Sequence, residues 1–124
     1  MAMRPPRRNE MREKAMREVI LAQLGALRAD ASVEQVACKD ESVGDYLAGK
    51  TDALAVAMQM VESKALIESM SRFLRHEETR NMNMAESARL CSKDTMARLR
   101  EGAAAGYMAA SRVVTEVREA NKYE

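Results

Sequence analysis

An all-α protein is what this sequence predicts, and three observations predict it. The apolar residues are helix formers: 21 Ala and 11 Met stand against one Phe, three Tyr and no Trp. Both prolines fall within the first six residues, so the strongest helix breaker is absent from the rest of the 124-residue chain. Apolar positions recur at spacings of three and four, the period of one helix face. The predicted architecture is a long antiparallel helical hairpin with an additional N-terminal helix and a short-helix connector. A basic arm over 1–8 precedes a single helical domain over 9–124, with helices near 10–29, 33–39, 52–79 and 84–120.

The first helix starts after Asn9, a good N-cap. Its apolar face is Met16, Val19, Ile20, Leu24 and Leu27, and Asp30 is expected to end it. Ser32 and Gln35 have capping-box spacing and open a short helix to about Lys39. Gly44 and Gly49 are expected to keep the next helical turns short. The hairpin follows. Thr51 or Asp52 caps its first arm, whose stripe includes Leu54, Met58, Val61, Leu66, Met70, Phe73 and Leu74. Asn81-Met82-Asn83 is the expected turn, because Asn tolerates the left-handed conformation that tight turns use. The second arm carries Ala88, Cys91, Thr95, Leu99, Ala103, Gly106, Ala110, Val113 and Val117 in an unbroken four-and-three register. That register runs straight through GAAAGYMAAS, residues 102–111, so the two glycines are expected inside a helix and not at its end.

Small residues four apart line one face of that last helix at Gly102, Gly106 and Ala110, and such spacing lets two helix backbones approach closely. Leu99, Ala103, Val113 and Val117 extend the same helix-contact face. The spacing leaves open whether the face packs within the chain or against another molecule. The methionines divide in the same way. Met58, Met70 and Met96 lie on or near apolar faces, whereas Met60, Met82, Met84 and Met108 sit off the main stripe. There, unbranched side chains suit an adaptable binding patch.

Net charge is +1, which hides a segregation. Residues 1–17 carry six basic and two acidic groups, and residues 18–50 carry three basic and six acidic groups. Arg4, Arg7, Arg8, Arg12, Lys14 and Arg17 therefore form a basic segment suited to phosphate or to an acidic partner. No aromatic residue is interleaved among them to stack on bases. Near-neutral helices beyond the arm argue against a protein that coats nucleic acid over its whole surface.

Residues 86–102, ESARLCSKDTMARLREG, test the nucleic-acid reading further. The acidic-x-Ala-Arg-Leu opening, the Ser-x-x-Thr and the Arg-Leu before Gly102 resemble the helix-turn-helix of excisionase-type DNA-binding proteins. The turn's glycine is absent, and an Ala-rich helix stands where a wing would follow. The resemblance implies that Ser92, Lys93, Thr95 and Arg98 face DNA.

Catalysis has little support. His76, the single histidine, falls near the end of a helix, where a cation suits the dipole. Cys38 and Cys91 are the only cysteines, too few with His76 to build a zinc site at these spacings. No glycine-rich phosphate loop or nucleophile motif occurs. No catalytic residue, cofactor or metal is therefore expected, and no membrane span. The absence of a signal-peptide pattern suggests a cytoplasmic or intracellular protein with reduced thiols. The functional expectation is a non-enzymatic protein-interaction or assembly component that docks through an Ala/Gly/Met helix face, to itself as a homo-oligomer or to a larger complex. The alternative is a small nucleic-acid-binding regulator that uses the arm or the segment 86–102.

Overall fold

The computed structural model of the chain describes residues 8–63 and 65–122. They form four helices: α1 (Arg8–Ala37), α2 (Glu41–Glu62), α3 (Ile67–Leu90) and α4 (Asp94–Ala120). Among the described residues there is no strand, and the all-α class holds. The helix boundaries differ from those expected, each for a local physical reason.

Helix α1 does not stop at Asp30. Ile20 and Leu24 are fully buried, and Ala31 on the same face is 3% exposed. The buried stripe thus reaches Ala31, the residue just past the acid. An Asp inside a helix costs only about 0.7 kcal/mol relative to Ala, a small penalty that the burial of Ala31 opposes. Ser32 and Gln35 accordingly lie inside α1 and do not open a new helix.

Helix α2 likewise absorbs the expected connector. Asp40 is its N-cap, and the carboxylate accepts from the backbone N–H of Ser42 at 2.8 Å and of Val43 at 3.3 Å. Thr51 is no cap, because its hydroxyl donates back to the Leu47 carbonyl at 2.8 Å within the helix. The helix ends at Glu62, about seventeen residues before the expected point near 79. No Pro or Gly marks that break. Instead Arg17 of α1 donates to the carbonyls of Val61, at 3.3 Å, and Ala65, at 2.5 Å. One guanidinium from a distant part of the sequence thereby satisfies carbonyls released where the chain turns. Val61 and Ile67 are both core residues, so the direction changes without interrupting the apolar face.

Helix α3 runs through the expected turn at 81–83. Asn81 is 2% exposed and serves as a bridge between helices. Its Nδ2 donates to the Glu77 carbonyl at 2.8 Å, and its Oδ1 accepts from Arg100 of α4 at 3.2 Å. The turn lies ten residues later, at 91–93, and centres on Ser92 with φ 58°. There the N–H of Lys93 donates to the Ala88 carbonyl at 2.8 Å and that of Ser92 to the Arg89 carbonyl at 3.0 Å. These two bonds make a Schellman motif with serine in the position that glycine usually takes.

Helix α4 is the axis of the fold. It packs along both α2 and α3, while α2 and α3 barely touch each other; α1 lies against α2 and, less extensively, α4. Residues 102–111 are helical throughout, as the unbroken register predicts. The core joins Ile20 and Leu24 of α1, Leu54 and Val61 of α2, Met70 and Leu74 of α3, and Val114 of α4, among others.

Candidate functional site

The small-residue face of α4 is used within the chain. A Cβ built on Gly102 would stand 1.8 Å from the Tyr46 carbonyl oxygen, and one on Gly106 would stand 2.7 Å from that of Lys50. The partner face on α2 contributes its own glycine, since a Cβ on Gly49 would meet the Leu99 carbonyl oxygen at 2.0 Å. Residue numbers rise together along the two helices, from 46 against 102 to 53 against 106, so α2 and α4 run parallel here. Backbone lies directly on backbone. Gly102, Gly106, Ala110, Val113 and Val117 are buried, and Leu99 and Ala103 are half-buried at the edge. Of the two packings that the spacing left open, this is the one inside the chain.

Of the expected phosphate contacts, Arg8, Arg12, Lys14 and Arg17 belong to α1, the first three on its first turns. Arg4 and Arg7 lie outside the described residues. Arg17 is committed to the end of α2 and also lies 3.7 Å from Glu13.

The segment 86–102 is not a helix-turn-helix. Such a motif crosses its helices at roughly 90–120°. Here α3 and α4 run antiparallel in close contact, with Ala85 and Ala88 buried on one and Ala97 and Ala104 on the other. Arg89 and Glu101 form an ion pair across the two helices. Arg98 is held by Asp45 of α2 at 3.1 Å, while Ser92, Lys93 and Thr95 are exposed around the turn.

An open feature lies beside this turn. A groove of about 630 Å³ runs along α3 and reaches the start of α4. Met84, Ala88 and Met96 give it apolar surface, and His76, Arg80 and Lys93 line it as nitrogen-bearing side chains. None of its lining residues is acidic. The α3 residues recur at 76, 80, 84 and 87, one side of a helix, next to the side that packs on α4. Met96 is 48% exposed, although it neighbours the buried Ala97. A second cleft of about 340 Å³ shares Arg80 and Met96 with the first and lies between α2 and α3 over α4. It contains Asp52, Glu77, Arg100 and Tyr107. Glu77 pairs with Arg80 at 3.2 Å. Burial raises the Tyr107 hydroxyl above its ordinary value of 10.0, and the nearby Glu77 carboxylate adds to the effect.

The methionines separate accordingly. Met84 and Met96 face the groove. Met60 packs against the core. Met82 and Met108 border a smaller depression of about 250 Å³, beside Glu78 and Glu101. Cys91, expected on the apolar stripe, is exposed in the groove, because the turn rather than a helix interior falls at its position. The groove as a unit was hidden from the sequence. Its one linear signal is the α3 spacing of His76, Arg80 and Met84, which a turn placed at 81–83 splits in two.

No protein-family model matches the chain, and neither curated proteins nor solved structures gave a significant match. No helix among the described residues is long and apolar enough to cross a membrane.

Proposed function

We propose that this protein is a non-enzymatic helical docking module, an assembly or interaction component whose contact surface is the groove beside the α3–α4 turn. One observation carries the reading. Two methionines with flexible, polarizable side chains, Met96 exposed and Met84 half-buried, line an open groove that has cationic lining and no carboxylate. Methionine surfaces re-pack around varied apolar partners, and an amphipathic helix laid into a groove is a recurrent mode of recognition. The charge selects the partner's chemistry: an apolar stripe flanked by Asp or Glu fits, and one flanked by Lys or Arg does not. The Ala/Gly part of the expected docking face is occupied by α2, so docking is assigned to the methionine part.

The test is a titration followed by amide chemical shifts. Two designed amphipathic peptides would be compared, with the same Leu/Met stripe and either Glu or Lys beside it. The Glu peptide is expected to move resonances of residues 76–96 selectively and to saturate. Absence of saturable shifts in that segment with either peptide would remove the groove as a docking site.

A further inference from the structure

We infer that the occupant of this groove is a second copy of the chain: the α1–α2 junction of one protomer seats in the groove of the other, and the reverse, about a two-fold axis. The inference rests on the docking reading above and names its partner.

The junction has the chemistry that the groove lacks. Val33, Val36 and Val43 are 68%, 89% and 46% exposed, which makes this short stretch unusually apolar at its surface. Glu34, Asp40 and Glu41 are exposed among them, with Lys39 the single base between 29 and 44. An apolar, acidic projection thus faces solvent on the same molecule as an apolar, cationic groove.

The two surfaces also lie at one end of the protein. The first turns of α2 pack against the first turns of α4, with Asp45 bonded to Arg98, and Met96 of the groove is two residues from that arginine. A two-fold contact requires each subunit to present both halves of a self-complementary surface. An end with an acidic valine half and a basic methionine half meets that requirement, and the pairing closes as a dimer. The basic N-terminal segment is a poorer occupant, because Arg4 and Arg7 would approach Arg80 and Lys93.

The two cysteines supply a test, one in each half. Cys38 lies in the junction, its thiol donating to the Asp40 carbonyl at 3.3 Å, and Cys91 lies in the groove. C38S and C91S proteins would be mixed and treated with a short bismaleimide. In the mixture a bond between positions 38 and 91 can form only between chains. Cross-linked dimer joining those peptides is expected in the mixture, and neither variant alone can form it, since each lacks one of the two cysteines. Val36→Lys with Val43→Lys, at exposed positions that do not hold the fold, should weaken dimerisation at least tenfold by sedimentation. Monomer at millimolar concentration, or a dimer with no 38–91 link, would overturn self-pairing. A groove that still saturates with the Glu peptide would then leave the docking reading standing with a foreign acidic helix as its partner, and loss of both would remove both.

Discussion

The carbonyl oxygen of Leu99 fills the space where a side chain at residue 49 would begin. A Cβ on Gly49 would lie 2.0 Å from it, and the amide nitrogen of Ala103 would follow at 2.9 Å. Two parallel helices are in backbone contact here, and Gly102 and Gly106 repeat the arrangement from the other side. The seam explains why α4 can be the axis of the fold, since a helix pair this close leaves its flanks for α1 and α3.

Alanine at these glycines therefore separates by position. Gly49→Ala and Gly102→Ala force backbone apart and should each cost about 3 kcal/mol or more. Gly106→Ala meets Lys50 O at 2.7 Å and the Ala53 methyl at 2.8 Å, a milder conflict that should cost about 1–3 kcal/mol. Gly44, inside α2 with nothing within 4 Å, should gain about 0.5–1 kcal/mol as Ala. Urea unfolding of the four variants checks the order. Equal effects at 44 and 49 would contradict the seam.

Ser92 holds a positive φ of 58° that favours glycine. Ser92→Gly should raise stability by about 1 kcal/mol, and Ser92→Val should lower it by at least as much. Thermal unfolding monitored by circular dichroism reads both changes. The opposite order would place the turn elsewhere.

Asn81 is buried and bonded at both ends of its amide, to α3 and to α4. Asn81→Ala should cost about 1–3 kcal/mol, because the Arg100 guanidinium loses its acceptor. In a double-mutant cycle with Arg100→Met the two losses should be less than additive. Full additivity would mean that the 3.2 Å bond carries no coupling.

Tyr107 gives a pH dependence of known sign. Its folded pKa is raised above 10.0 by burial and by Glu77. The neutral phenol is thus favoured in the folded state. Its contribution is fully present below pH 10 and is lost as pH rises from the unfolded value through the folded one. Tyr107→Phe removes that term. The stability of the wild type relative to the variant should fall across this alkaline window, and a constant difference would show an unshifted tyrosine.

The helical class was legible because propensity and period agree over the whole chain, and the continuity of residues 102–111 was legible from register alone. The breaks were not. Asp30 and Asn81 are turn formers in isolation, yet Ala31 on a buried face and an arginine opposite Asn81 hold both inside helices. Conversely the chain turns at 63–66 without Pro or Gly, because Arg17, more than forty residues away, satisfies the released carbonyls. Gly49 carries the same lesson. Read locally it is a helix breaker, and only the passage of Leu99 beside it makes it a contact residue. The groove was hidden for the same cause, since Met84 and Met96 come together only once the turn is placed at 91–93.

Isotope-filtered NOE spectra on a mixture of labelled and unlabelled chains test the central claim, that the small-residue seam is internal and the groove end is the docking surface. Contacts between chains are expected from the Met84 and Met96 methyls to those of Val33, Val36 and Val43, with none at Ala53 or Ala110. Contacts between chains at Ala53 and Ala110, with the groove methyls silent, would contradict it.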